Sequence, residues 1–243
     1  MPADTPQPPR DGRHYHQFAP GLLPAADWVF EPAELQRREL ITRRASGRHS
    51  AYLFRCGEHG YVLRHYWRGG IVARLVEDRY LWTGLERTRA WREWQLLRTL
   101  TADGLPVPQP AGLRVIRRGL LYRADLITLE LPQTRTLVEH LEQEALEPNT
   151  WRRIGATIRR LHERGAWHAD LNARNILLDA DGGIFVIDWD KGALRPPRAR
   201  WMQANLDRLQ RSLAKLAMQE PTLHYDDHCM AELRAGHAAA ADG

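Results

Sequence analysis

Cysteine is scarce in this sequence, lysine scarcer in proportion, and long apolar runs are absent. The two cysteines, Cys56 and Cys229, stand far apart and outside any paired motif. That excludes a disulfide framework and a thiolate zinc cage, and leaves reduced, inert thiols. No stretch approaches the ~18 apolar residues of a membrane span. Met1 is not followed by a basic-then-apolar leader, so the expected compartment is the cytoplasm. Lysine occurs only at Lys191 and Lys215, and the rest of the 35 basic residues are arginine. This bias suits bidentate phosphate recognition and equally suits codon usage.

What is present is enough for a core. With 243 residues, 43% hydrophobic and 27% charged, the chain can form one large domain or two small lobes. A net charge of +5 favours an anionic partner, whether phosphate, a membrane surface or nucleic acid. Neither a zinc finger nor an RNP-type aromatic motif supports the last, so no nucleic-acid partner is expected.

Six prolines before residue 25 and little apolar periodicity make residues 1–28 an expected mobile arm. The paired His14 and His16 lack further ligands nearby. From Glu39 to Tyr66, apolar triplets separated by small polar loops predict an antiparallel meander. Glu93, Leu96, Leu97 and Leu100 then share one helical face within Arg87 to Leu100, which sets a carboxylate beside an apolar stripe. Two more strands are predicted near Leu113 to Ile116 and Tyr122 to Leu129, and the lobe boundary is placed at Pro132. Beyond it, helices are expected at Thr136 to Glu144, at Thr150 to Arg164 and around Leu206 to Leu216. Between them, Ile176 to Leu178 and Ile184 to Ile187 are short strands joined by a turn. A calcium loop over that turn is rejected, because its sixth position is not glycine and its twelfth is Asp190. The fold class is α+β and bilobal: a sheet-rich N-lobe over residues 29–131 and a mostly helical C-lobe over 132–243.

The chemistry concentrates in His168-Ala-Asp170-Leu-Asn-Ala-Arg-Asn175 and in Asp188-Trp-Asp190 beyond the hairpin. This order resembles the H-R-D-x-x-x-x-N and D-F-G signatures of protein kinases. Asp170 would accept the acceptor hydroxyl's proton, and Asn175 and Asp188 would offer hard oxygens to Mg²⁺ on ATP. Singly, these residues read as turn, cap and core positions; their fixed order on the expected loop and strands carries the kinase-like reading. A His/Asp metal hydrolase lacks a further histidine cluster. Toward the N-terminus no lysine is available, so Arg64 stands where V-A-I-K places its lysine and Glu93 is its natural partner. Gly47 is the only glycine of the candidate nucleotide loop, and the link residues Glu130 and Leu131 are assigned to the same nucleotide. Asn172 falls where many kinases carry a lysine facing the transferred phosphate, which leaves Arg174 or Lys191 to supply that charge.

A more specific resemblance rests on Val62-Leu-Arg-His-Tyr-Trp-Arg-Gly-Gly70, Asp78-Arg-Tyr-Leu-Trp-Thr-Gly84, Arg87-Thr-Arg-Ala-Trp-Arg-Glu-Trp94, Tyr122-Arg-Ala-Asp-Leu126, His168-Ala-Asp-Leu-Asn172 and Asn205-Leu-Asp-Arg-Leu209. Over roughly residues 30 to 218, the chain resembles the 3-deoxy-D-manno-octulosonic acid (Kdo) kinase family, which is similar to the lipopolysaccharide core heptose kinases. The resemblance implies a protein-kinase-like fold and ATP-dependent phosphorylation of the 4-hydroxyl of a Kdo residue on a lipid A precursor. It also implies a place at the cytoplasmic face of the inner membrane, held peripherally. The Arg-Gly-Gly and Trp-Thr-Gly blocks discriminate this family from other kinases. The chain runs 55 residues past Asp188 with no A-P-E block, which disfavours a protein substrate, and no obligate protein partner is expected. Arg195, Arg198, Arg200, Arg208, Arg211 and Lys215 would meet an anionic acceptor or the inner-membrane surface. Two other readings stay open: a small-molecule kinase of the aminoglycoside phosphotransferase type, and a non-catalytic kinase-like binding module.

Overall fold

Alternating side chains along residues 41–65 and 110–129 give one half of the molecule an antiparallel sheet. The computed structural model describes residues 13–45, 51–66 and 80–239; Gly47 and the Arg68-Gly-Gly70 block lie outside the described residues. The expected meander is β2 (Ile41–Ala45), β3 (Ala51–Cys56) and β4 (His59–His65), each antiparallel to the next. The sheet continues with β6 (Pro110–Arg118) and β7 (Leu121–Leu129), while β5 (Tyr80–Leu81) pairs with β7.

Residues 13–28 depart from the expected arm, whose first twelve residues lie outside the described residues. Residues His14–Phe18 form β1, antiparallel to β6, with His14 opposite Ile116 and Phe18 opposite Gly112. Asp27–Phe30 is a 3-10 turn whose Val29 and Phe30 are buried. The sheet order is therefore β1-β6-β7-β4-β3-β2. The open edge of β6 offers a ready ladder to any extended segment, and this overrides the weak local pattern.

The two faces of the sheet do different work. Tyr61 and Leu63 of β4 pack with Phe30, Phe54, Ile127 and Leu35 of the short helix α1 (Pro32–Arg37). Burying such a side chain contributes about 1.5–3 kcal/mol. Val62 and Arg64 alternate to the opposite face. Helix α2 (Arg89–Ala102) buries Glu93, Leu96, Leu97 and Leu100 as its spacing predicts, and also Ala90, Trp91 and Trp94. On the ladder, Arg114 stands opposite Asp125, and its Nε donates to that carboxylate at 2.8 Å. His65 Nδ1 meets the other oxygen of Asp125 at 2.6 Å.

The chain forms two compact units, Met1–Arg98 with Gln109–Leu131 and Thr99–Pro108 with Pro132–Gly243. A boundary falls at Pro132, but residues 99–108, expected in the N-lobe, belong to the second unit. The hydrogen bonds say why: Val186 N–H donates to the Pro106 carbonyl at 3.0 Å, and Arg164 pairs with Asp103.

The second unit contains α3 (Leu137–Leu141), α4 (Pro148–Glu163), α5 (Ala199–Gln219) and α6 (Asp227–Ala239). Thr136 and Glu139 close a capping box on α3, and Pro148 opens α4 where its missing N–H costs nothing. Helix α6, which the sequence pattern does not announce, lies close along α4. A Cβ added at Gly155 would stand 1.9 Å from the Leu233 carbonyl oxygen, and one at Gly236 2.0 Å from that of Arg152. Only glycine lets these backbones approach so closely. Three short strands, β8 (Arg135–Thr136), β10 (Ile176–Leu178) and β11 (Ile184–Val186), pair in the order β11-β10-β8. The connection between β10 and β11 is the expected turn, with Gly183 N–H on Asp179 Oδ1 and Gly182 at φ 80°. A further pair, β9 (Ala166–Trp167) and β12 (Ala193–Leu194), leads into and out of the signature residues.

Candidate active site

In the first unit, Arg64 ends the regular part of β4 and Glu93 sits one turn into α2. Arg64 Nη2 donates to Glu93 Oε1, and the Tyr66 hydroxyl donates to Oε2, so both carboxylate oxygens are engaged. Glu93 is 2% exposed, a burial that an ionised carboxylate tolerates only when paired and hydrogen-bonded. Burial, reinforced by the neighbouring Glu93 charge, pushes the Tyr66 phenol well above its ordinary value and keeps it a donor. The Arg89 guanidinium lies 5.7 Å from the Tyr66 ring and 5.2 Å from the Tyr80 ring, bracing the pair from the side. Glu130, assigned to the nucleotide, lies in the link just after β7, in the first unit. Its N–H donates to the Gly60 carbonyl at 2.9 Å, and its side chain lies against Gly60, leaving no room for a Cβ there.

In the second unit, a loop of short-range hydrogen bonds displays Asp170. His168, 2% exposed, accepts the Asp170 N–H on Nδ1 at 3.1 Å and donates from Nε2 to the Ile187 carbonyl at 3.0 Å. These partners define a neutral, Nε2-protonated ring, and burial holds the imidazole below its ordinary pKa. One side chain thus ties the Asp170 loop to the residue before Asp188. Its ring also packs against the buried Trp189 ring at 4.7 Å. Asn172 Oδ1 caps the 3-10 turn Ala173–Asn175 by accepting the Arg174 N–H at 2.9 Å. Asn175 Nδ2 donates to the Asp170 carbonyl at 3.0 Å, and the Ile187 N–H donates to the Asn175 carbonyl at 2.9 Å. Asp188 adopts φ 61°, the left-handed region that aspartate tolerates better than most residues. Asp170, Asn175 and Asp188 are therefore fastened within one unit, with the Asp170 side chain 66% exposed.

Helix α5 supplies partners whose roles were not read from the sequence. Buried Asn205 accepts the His168 N–H at 3.3 Å and donates to the His168 carbonyl at 2.9 Å, so it pairs with the loop as a neighbouring strand would. Ser212 accepts the Ala173 N–H at 3.4 Å, and Arg208 lies 3.3 Å from Asp170 Oδ1. Positions 205, 208 and 212 share one helical face, so helical spacing could have exposed them.

A profile described as "Lipopolysaccharide kinase (Kdo/WaaP) family" matches residues 34–226. The chain belongs to that family. A protein of Xanthomonas axonopodis pv. citri (strain 306) named 3-deoxy-D-manno-octulosonic acid kinase is 47% identical over 172 residues, spanning 71% of this chain and 69% of its own. A protein of the same name from Vibrio parahaemolyticus serotype O3:K6 (strain RIMD 2210633) is 36% identical over 205 residues, spanning 84% of this chain and 85% of its own. The solved structure "Co-crystal structure of WbdD and kinase inhibitor LY294002." aligns with 83% of this chain and 45% of its own at 17% identity, with a TM-score of 0.46. This lipopolysaccharide kinase is a phosphotransferase acting on a hydroxyl group.

The donor set suits magnesium carried by a nucleotide. Asn175 commits its amide nitrogen to the Asp170 carbonyl, so its oxygen would be the atom turned to a metal, and Asp188 would add a carboxylate. Among the described residues no group of three or more His, Cys, Asp or Glu could hold a metal. Two protein oxygens completed by phosphates match the habit of Mg²⁺.

Proposed function

We propose that this lipopolysaccharide kinase transfers the γ-phosphoryl group of ATP to the 4-hydroxyl of a Kdo residue on a lipid A precursor. The observation that carries the reading is the exposed Asp170 carboxylate, fixed in a loop by His168, Asn172 and Asn175, in a chain whose relatives are named Kdo kinases. Asp170 takes the proton of the attacking hydroxyl. Arg64, oriented by Glu93, donates to the ATP phosphates in place of a lysine, with a bidentate reach that an ammonium lacks. Asn175 and Asp188 would hold magnesium, which would neutralise charge on the phosphates. Incubation with labelled ATP and a Kdo-bearing lipid A precursor should label the Kdo 4-position. Label on a soluble aminoglycoside instead, or no label on any acceptor, would favour the small-molecule kinase or the non-catalytic module.

The acceptor would be reached from the cytoplasmic face of the inner membrane, with the enzyme held peripherally. Among the described residues no helix is long and apolar enough to cross a membrane. Exposed Arg195, Arg198, Arg200, Arg211 and Lys215 would each contribute about 1 kcal/mol beside anionic lipids. Co-sedimentation with anionic vesicles should fall sharply between low salt and 1 M salt, and salt-indifferent binding would remove this part of the proposal.

A further inference from the structure

The position after Asp170 that many kinases fill with a lysine holds Asn172, whose side chain is committed to the loop. Its Nδ2 donates to the Asp170 carbonyl at 3.0 Å and to Asp170 Oδ2 at 3.3 Å, and its Oδ1 caps the following turn. It brings no positive charge. Among the described residues, the cation within pairing distance of Asp170 is Arg208, 38 positions further along the chain. Neither Arg174 nor Lys191, the candidates the sequence offers, makes such a pair among the described contacts, although both are exposed.

Arg208 is presented by a rigid element rather than by the loop it serves. Asn205, one turn earlier on α5, is clamped to both backbone groups of His168, and Ser212, one turn later, holds Ala173. Leu206 and Leu209 anchor the helix from below in the core. The guanidinium nonetheless stays accessible, with 48% of the side chain exposed, and a single N–H is directed to Asp170. A guanidinium carries five such donors.

The contact between Arg208 and Asp170 is a single N–H at 3.3 Å between two exposed side chains, a pairing worth little in water. The pair therefore suits a resting state that an incoming anion breaks. The reaction brings that anion to the spot. An attacking oxygen held about 3 Å from the base and about 3 Å from phosphorus leaves the phosphoryl oxygens about 5 Å from the carboxylate. A guanidinium already touching the carboxylate reaches that far.

We infer that Arg208 is the cation of the transferred phosphoryl group, standing in from α5 for the lysine that the catalytic loop lacks. The inference rests on the ATP-dependent transfer proposed above. In the step, the acceptor oxygen bonds to the γ-phosphorus and its proton passes to Asp170. The bond from phosphorus to the bridging oxygen breaks, and its electron pair leaves with ADP. Arg208 releases Asp170 and donates to the phosphoryl oxygens as their charge redistributes.

The test compares Arg208→Ala, Arg208→Lys, Arg174→Ala and Lys191→Ala with the wild type in steady-state transfer to the Kdo-bearing acceptor. Mg-ATP titrations and trapping of Mg-ADP with aluminium fluoride, a mimic of the phosphoryl group in flight, supply readouts besides activity. Arg208→Ala should lower kcat ~10²- to 10³-fold, keep the acceptor KM and the ATP affinity, and fail to trap aluminium fluoride. Arg208→Lys should recover part of the loss, while the other two variants stay near wild type. An unchanged kcat in Arg208→Ala would overturn the inference, as would a loss carried by Arg174 or Lys191. So would a raised acceptor KM at unchanged kcat, which would assign Arg208 to the acceptor's carboxylate. A wild type that leaves the Kdo acceptor unlabelled defeats the acceptor assignment. In that case trapping lost only in Arg208→Ala still supports the role of Arg208.

Discussion

Acidification from pH 7 to about pH 5 should destabilise the second unit through His162. This histidine, on α4, is 2% exposed; its Nδ1 lies 2.9 Å from Nε2 of His237 on α6, and the Trp201 ring stands edge-on to it at 5.0 Å. A bond between two ring nitrogens needs one proton between them, so a second proton would set donor against donor. Burial first, and then the neighbouring His237, bring His162 from 6.5 down to about 3, while burial and Arg159 bring His237 down to about 4. Above pH 6.5 the ring is neutral in both folded and unfolded states, and the stability is fully present. Below it the unfolded chain binds a proton that the folded chain refuses, so stability falls as pH falls until the folded value is reached. The slope is about 1.4 kcal/mol per pH unit per proton, so His162 alone accounts for about 2 kcal/mol between pH 6.5 and pH 5. His237, whose folded value of about 4 also lies below pH 5, adds a comparable amount with the same sign, and His168 shifts in the same direction. Urea unfolding followed by tryptophan fluorescence at both pH values measures the loss. In His162→Gln, whose side chain does not titrate, the loss should be smaller by about 2 kcal/mol. Equal losses in the variant and the wild type would refute the reasoning.

Three further outcomes follow from the ion pair and the packing. Glu93→Ala removes the partner of a buried ion pair and should cost about 3–5 kcal/mol of stability, while Arg64→Lys should keep the fold, weaken Mg-ATP binding and retain more turnover than Arg64→Ala; thermal unfolding and nucleotide titration distinguish these effects. Gly236→Ala should destabilise the second unit by about 1–3 kcal/mol or more, since its Cβ meets the Arg152 backbone rather than a movable side chain, and an unchanged urea midpoint would contradict the close helix crossing.

Local pattern carries some of these features and not others. Arg64 and Glu93 are legible because strand alternation and helical spacing each fix a face, and the two faces meet in one unit. The hairpin after Asn175 is legible because Asp179 to Gly183 has turn chemistry and apolar flanks. Strand β1 is not, because His14–Phe18 offers a weak alternation and is held by its partner Gly112 to Ile116, about a hundred residues away in sequence. Helix α6 escapes for a related reason: Gly236 and His237 read as poor helix and core residues until α4 is placed beside them. The pairing of Asp170 with Arg208 is also nonlocal, and both residues are exposed, so burial pattern gives no hint of it. Residues 99–108 show the same limit, since Pro106 and Asp103 take their unit from the partners they find at Val186 and Arg164.

The central claim is that Asp170 serves as the base for phosphate transfer to a Kdo hydroxyl. Its most direct measurement is single-turnover transfer of labelled phosphate from ATP to a Kdo-bearing lipid A precursor, comparing the wild type with Asp170→Asn. The substitution keeps the side-chain shape and an oxygen for Arg208 but cannot take up the hydroxyl proton. The account predicts label on the Kdo 4-position by the wild type and a rate lower by ~10²- to 10⁴-fold in the variant, with Mg-ATP binding retained. Transfer by Asp170→Asn at the wild-type rate, or wild-type label found elsewhere than on the Kdo sugar, would contradict it.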